Sequence, residues 1–407
     1  MGVNLVKELS LSFRAEEVQA SPIRRLVPLA NQAKAKNLHV YHLNIGQPDV
    51  ETPQEFFTAI NSLDIKVLAY GESGGLPEFR KGLVPYYAEF GITVVPEEIL
   101  ITTGGSEALL FALLTCCNPG DEVLAPEPFY TNYNSFATMS GVKVIPIPGS
   151  AAEGFRLPSN ATIEASITER TKAILFSNPG NPTGVVYTKE ELERLGKIAI
   201  KHNLYLLADE VYREFIYDGS VFTSIMTIPG LEKHAIICDS ISKRFSACGA
   251  RIGNIVSHNK DVIDAAMKFA MARLCPPTLE QYGAVAALQV PSSYYEQTRE
   301  EYQKRRDTIY KGITAIPGAQ TYLPKGAFYM IAQLPVDDAN EFASWMLSSF
   351  SYEGATVMVA PADGFYATPG AGKNEVRLAY VLNCEELEKS MIVLKEGIKA
   401  YRQFKGL

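Results

Sequence analysis

Between about residues 96 and 290 the chain alternates short, nearly unbroken apolar runs with longer stretches whose apolar residues recur at helical spacing. The short runs are Glu122-Val123-Leu124-Ala125, Val142-Lys143-Val144-Ile145, Lys172 to Phe176, Leu204 to Ala208, Ala235-Ile236-Ile237-Cys238 and Gly253-Asn254-Ile255-Val256. This alternation predicts an α/β fold built on a mainly parallel sheet. One intervening helix is sharply marked: Thr188 is its N-cap, Glu190 and Glu191 lie in its first turn, and Leu192, Leu195 and Ile198 form its apolar side. A long polar helix is expected from Ser292 to Ile313, leading into Gln320 to Met330. These features predict a large domain over residues 46–290 and a smaller one over residues 1–45 plus 291–407, discontinuous in sequence and including an N-terminal arm.

Polar chemistry gathers where the apolar runs end. Ser240-Ile241-Ser242-Lys243 is followed eight residues later by Arg251-Ile252-Gly253. A lysine that forms a Schiff base must shed its proton, which a fixed cation nearby favours, and Gly249 and Gly253 would let backbone approach a flat phosphorylated ligand. Pyridoxal 5'-phosphate is the cofactor that this chemistry suggests, although the run alone also suits an ordinary surface loop. The apolar Ala173 to Phe176 ends in the rigid turn Ser177-Asn178-Pro179-Gly180-Asn181-Pro182-Thr183-Gly184, in which the prolines hold Asn181 firmly. Leu204 to Ala208 ends at Asp209, with Tyr212 three residues on. An acid there suits a protonated pyridine nitrogen, and Asn181 and Tyr212 suit a phenolic oxygen; read alone, Asp209 also suits a helix N-cap. Finally, Ile101-Thr102-Thr103 breaks into Gly104-Gly105-Ser106 ahead of a helical pattern, so that helix amides and the Ser106 hydroxyl offer a phosphate site. Neither a Walker A loop nor a complete dinucleotide fingerprint is present.

Taken in order, these segments resemble the class I/II aminotransferases of the fold-type I pyridoxal phosphate-dependent family, and most closely the bacterial-type aspartate aminotransferases. Asn44-Ile45-Gly46-Gln47-Pro48-Asp49, Tyr70-Gly71, Gly75-Leu76-Pro77-Glu78-Phe79-Arg80 and Asn374-Glu375-Val376-Arg377-Leu378 complete the series. The resemblance implies a large, mainly parallel-sheet domain with a smaller α+β domain. It implies that Lys243 carries the cofactor, Asp209 pairs with its ring nitrogen, and Asn181 and Tyr212 bind its phenolic oxygen. Ser240, Arg251 and the Gly105-Ser106 amides would hold its phosphate, and Tyr130 would stack on its ring. Arg377 would clamp the substrate α-carboxylate beside the Gly46 backbone, since a planar guanidinium matches a carboxylate in two parallel hydrogen bonds. Tyr70 would cross to the partner's cofactor phosphate, implying a homodimer with shared active sites. Substrates would be an L-amino acid, best aspartate, and a 2-oxo acid such as 2-oxoglutarate, handled by a ping-pong mechanism. Ser106 departs from the lysine common at that position in the bacterial-type enzymes. Arg273 is therefore the expected reader of a distal carboxylate, with Arg24 or Arg25 as alternatives and a structural ion pair as the plain one. The same residues also suit a C–S β-lyase, or an aminotransferase for alanine or aromatic amino acids. A ligand-sensing module is disfavoured by the short arm and the retained lysine.

Composition narrows the remaining classes. With 407 residues, 47% of them hydrophobic, the chain can bury a large core. A net charge of −7 and the lack of any basic block argue against a nucleic-acid surface. No apolar window approaches the length of a signal or membrane segment, so a cytoplasmic protein that binds no membrane is expected. The 6 cysteines form no Cys-x-x-Cys and the 5 histidines are scattered, so no metal site is expected.

Overall fold

The computed structural model describes residues 9–407; the expected small domain also includes residues 1–8, which lie outside the described residues. The apolar runs form one seven-stranded sheet from β1 (Ile99–Thr102), β2 (Glu122–Pro126), β3 (Lys143–Ile147), β4 (Thr171–Ser177), β5 (Tyr205–Asp209), β6 (Ala235–Ser240) and β7 (Gly253–Val256), in the order β1-β7-β6-β5-β4-β2-β3. Pairs from β6 through β3 are parallel, whereas β7 runs antiparallel to both β6 and β1. The sheet is thus mainly parallel, as the sequence predicts, with one reversed strand. The run at 142–145 is shifted slightly, pairing over 143–147.

The near-continuous apolar character of the strands follows from cover on both faces. Alternate residues enter separate cores. Ile174, Phe176, Leu206, Ala208 and Ile237 meet Leu192, Leu195 and Ile198 of helix α2 (Lys189–His202) on one side. On the other, Leu175, Leu207, Ile236 and Cys238 meet Ala108, Leu109 and Ala112 of helix α1 (Gly104–Cys116). Each fully buried leucine or isoleucine contributes roughly 1.5–3 kcal/mol relative to exposure. Helix α2 begins as expected: Thr188 accepts from the Glu191 amide at 3.2 Å, and Glu191 returns the contact to the Thr188 amide at 2.8 Å.

A further core joins the two ends of the chain. Leu26, Ala30, Val40 and Leu43 pack with Ile309 and Ile313 of helix α3 (Ser292–Thr314) and with Phe328, Phe342, Val357, Leu378 and Leu394. In this region His39–His42 pairs in parallel with Ala355–Met358, and Tyr329–Gln333 pairs antiparallel with Glu375–Ala379, placing Ile331 opposite Arg377.

Register in the large sheet fixes where chemistry collects. Ser177, Asp209 and Cys238 lie side by side across β4, β5 and β6, and Ser240, Gly253 and Thr102 lie side by side across β6, β7 and β1. The turns after β1, β4, β5 and β6 and the turn into β7 therefore open at one sheet edge, the carboxyl edge at which open α/β sheets bind ligands.

Candidate active site

A cleft of about 620 Å³ lies at that edge, and Gly46, Gly105, Ser106, Tyr130, Asn181, Asp209, Tyr212, Ser240, Lys243, Arg251 and Arg377 all line it. Lys243 stands in the short helical turn Ile241–Arg244, whose start is capped by Ser240 Oγ accepting from the Ser242 amide at 3.0 Å. Its Nζ donates to the Gly46 carbonyl at 2.8 Å and lies 3.7 Å from Cys248 Sγ. A Cβ at Gly46 would fall 1.8 Å from the Tyr329 hydroxyl, so only glycine lets that loop approach so closely.

Asp209 ends β5 and caps no helix. One carboxylate oxygen accepts from the Tyr133 hydroxyl at 3.0 Å; the other, Oδ1, is buried without a hydrogen-bond partner among the described residues. Burial raises its pKa from 3.8 to about 6, only partly opposed by the Tyr133 hydrogen bond. A buried acceptor lacking a donor at a cleft wall is the feature that a protonated ring nitrogen would complete.

The opposite end of the cleft is built for an anion. Gly104 takes φ +75° at the start of α1, where a Cβ would meet Arg251 Nη2 at 2.3 Å. Arg251 is itself left-handed at φ 55° and donates to the Cys248 carbonyl at 3.0 Å. Ser240 Oγ lies 2.6 Å from Ser242 Oγ. Helix amides, two hydroxyls and a guanidinium thus meet at the first turn of α1.

Arg377 projects from its strand beneath the cleft. Its Nη1 donates to Asn181 Oδ1 at 3.1 Å and its Nη2 to the Asn44 carbonyl at 2.5 Å, while Nε is buried without a hydrogen-bond partner among the described residues. It lies 4.5 Å from the Tyr329 ring centre, and burial lowers its pKa. Because Asn181 accepts from Arg377 through Oδ1, its amide nitrogen is left to donate elsewhere. The Tyr212 and Tyr329 hydroxyls are 2.9 Å apart. Tyr130 stands edge-on to Tyr133, and its hydroxyl accepts from Asn132 Nδ2 at 2.9 Å.

Two expected residues lie outside this cleft. Tyr70 is 80% exposed. Arg273 ends the helix Lys260–Arg273 and donates to the carbonyls of Ser73 at 3.1 Å and Ile101 at 3.3 Å, with Glu107 3.6 Å away. Arg273 therefore ties the loop at Ser73 to strand β1 and does not line the cleft. Arg24, from the N-terminal arm, does line it. Sequence reasoning also passed over Tyr133, Tyr329 and Asn132. Spacing from Tyr130 and the aromatic cluster Phe328-Tyr329 were the only signals for them.

Comparisons with known proteins agree with this geometry. The family described as aminotransferase class I and II matches residues 39–390. The chain is 30% identical over 405 residues to an aspartate aminotransferase of Bacillus sp. (strain YM-2), covering 97% of this chain and 100% of that protein. It is 32% identical over 399 residues to aromatic-amino-acid aminotransferase 2 of Thermococcus litoralis, covering 96% and 99%. A Thermus thermophilus aspartate aminotransferase solved with maleate superposes with a TM-score of 0.86 at 30% identity, covering 96% of this chain and 100% of that one. The chain belongs to the class I and II aminotransferases. It is an enzyme of that class, with the fold of pyridoxal phosphate-dependent aminotransferases of fold type I. The family implies pyridoxal 5'-phosphate as cofactor and amino acids with 2-oxo acids as substrates. The bare Asp209 Oδ1, the free donor of Asn181 and the anion cradle around Arg251 fit that cofactor. Among the described residues no helix is long and apolar enough to cross a membrane.

Proposed function

We propose that this enzyme transfers the amino group of aspartate to 2-oxoglutarate, taking amino acid and oxo acid in turn in the same cleft. The observation that carries this reading is the meeting of Lys243, the unpartnered Asp209 oxygen and Arg377 around one cavity. When bound, the cofactor supplies a conjugated ring that accepts electrons from the substrate's α-carbon. Lys243 would anchor it, Asp209 would hold its ring nitrogen protonated, and Asn181 and Tyr212 would donate to its phenolic oxygen. Ser240, Arg251, Gly105 and Ser106 would take its phosphate, with Tyr130 against the ring. Arg377 and the Gly46 loop would orient the substrate carboxylate, and Lys243 Nζ would take the α-proton and return it. The Bacillus and Thermus relatives, aspartate aminotransferases, support aspartate, and the Thermococcus relative, an aromatic-amino-acid aminotransferase, supports an aromatic amino acid.

The reading includes a homodimer and a cytoplasmic setting. Ile65, Val67, Leu68 and Tyr70 are exposed, as are Met271 and Leu274. The Arg273 to Ser73 hydrogen bond brings the 271–274 segment next to the chain that follows Tyr70, and these exposed apolar residues suit a second copy. Tyr70 would then reach the partner's phosphate end. A small lobe of residues 1–45 and 291–407, carrying Arg377, would close on a large domain of residues 46–290 and exclude water. The core shared by both chain ends supports this division.

The test is to add single amino acids to the purified, cofactor-loaded protein and follow the absorbance of the bound cofactor. Aspartate is expected to convert it to the amino form, and 2-oxoglutarate to reverse the change. Conversion by alanine or aromatic amino acids alone would overturn the choice of aspartate, and release of pyruvate and ammonia from cystathionine without an oxo acid would point to the lyase.

A further inference from the structure

Among the described residues lining the cleft, four side chains are basic, Arg24, Lys243, Arg251 and Arg377, and Asp209 is the one acid. Three of the four are tethered: Lys243 to the Gly46 carbonyl, Arg251 to the Cys248 carbonyl, and Arg377 to Asn181 and Asn44. The proposed roles also give each of those three a task. Arg24 has none, and its side chain makes no hydrogen bond or ion pair with the described residues, whereas its neighbour Arg25 pairs with Asp363 at 3.4 Å.

The backbone beneath Arg24 is nonetheless fixed. The Ser21 carbonyl accepts from the amides of Arg24 and Arg25 at 3.1 and 3.0 Å, and the Arg24 carbonyl accepts from the Val27 amide at 3.0 Å. The Ile23 carbonyl accepts from Asn44 Nδ2 at 2.9 Å, and Asn44 in turn receives Arg377. One asparagine therefore pins the arm to the residue that anchors Arg377. The charge of Arg24 also reaches Tyr130, where burial lifts the phenol to about 12 and Arg24 opposes that rise. A surplus cation on a fixed turn, set beside the anchor of a second guanidinium, suits a ligand with an anion at each end.

We infer that Arg24 binds the distal carboxylate of a dicarboxylic substrate, making the cleft selective for four- and five-carbon amino and oxo diacids. This rests on the aminotransfer reading above and adds the residue that selects the substrate. It moves distal recognition from Arg273 to the arm of the same protomer.

The test uses the cofactor-loaded enzyme with Arg24→Gln, and Arg25→Gln as control. Maleate, an unreactive dicarboxylate, is titrated against the absorbance of the bound cofactor, and half-reaction rates are measured with aspartate and with alanine. Loss of a charge-assisted hydrogen-bonded pair is expected to weaken maleate binding about 10- to 100-fold and to lower the aspartate-to-alanine ratio of kcat/KM by a similar factor. Arg25→Gln should leave both values unchanged. Equal loss for aspartate and alanine, unchanged maleate affinity, or a wild type that uses alanine but not aspartate would overturn the inference while leaving aminotransfer intact. A wild type that holds cofactor yet reacts with no amino acid would overturn the aminotransfer reading itself, and this inference with it.

Discussion

Asp209 and Asp239 stand at the ends of adjacent strands, both buried, yet their surroundings are opposite. Asp209 faces the cleft with one oxygen bare. Asp239 faces away and is fully engaged: Oδ1 accepts from the Ser240 amide at 2.7 Å, and Oδ2 accepts from Tyr87 at 2.9 Å, from Arg213 at 2.8 Å and from Arg244. Burial pushes both carboxyls upward. For Asp239 the two guanidiniums outweigh it and hold the pKa below its ordinary value, whereas Asp209 rises to about 6. One aspartate is saturated by the fold; the other keeps a buried oxygen without a hydrogen-bond partner among the described residues. Fully paired and partly paired acids can thus lie a strand apart, separated by which side of the sheet end each faces.

This contrast breaks most visibly at Asp239. Asp239→Asn leaves Arg244 buried without its counter-ion and Arg213 with Glu210 alone, and should cost about 3–5 kcal/mol of stability. The loss would be read from the urea midpoint of the cofactor-free protein, and a shift worth less than about 1 kcal/mol would contradict the account. Asp209→Asn should do the reverse. It should leave the midpoint at pH 7 unchanged or raised, while slowing the aspartate half-reaction about 10²- to 10³-fold in stopped-flow absorbance.

The pH dependence sharpens the same comparison. Between pH 4 and 6 the folded state holds a proton on Asp209 that the unfolded state has lost. The Asp209 contribution therefore falls as pH rises through that window, by up to about 3 kcal/mol, and Asp209→Asn should remove that slope. Asp239 contributes with the opposite sign: its stabilisation is present above the ordinary carboxyl range and fades as pH drops below it. The smallest expected effect is at Tyr133. Tyr133→Phe removes the hydroxyl that Asp209 accepts from, at a cost of about 1 kcal/mol, and should shift the pH titration of the bound cofactor's absorbance without loosening Asp239.

The two aspartates also show what could be read from sequence alone. Asp209 follows an apolar run and precedes a turn, Lys243, Asn181 and Gly105-Ser106 also follow such runs, and Arg251 stands just ahead of one, so their convergence on one sheet edge was legible. Asp239 follows the run Ala235 to Cys238 in the same way, and nothing local tells that it faces the other side of the sheet end. Its partner Arg213 is 26 residues away, and Tyr133 reaches Asp209 across 76 residues from the helix Asn132–Ser140, whereas Tyr130, just ahead of that helix, was the one singled out. Long-range pairing of common residue types leaves no local pattern. Strand direction was hidden for a related reason. Gly253 to Val256 reads the same whether it runs with or against its neighbours, since apolar cover on both faces carries no polarity.

That reversed strand has a consequence for how the site is assembled. A parallel β7 would require the chain leaving β6 to travel back to the far edge of the sheet before entering it. Running antiparallel, β7 begins beside the end of β6, so twelve residues, 241–252, suffice as a hairpin. Lys243 and Arg251 both ride on that one hairpin. The spacing between Lys243 and the anion cradle at Arg251 is therefore set like a fixed gauge within one stretch of chain.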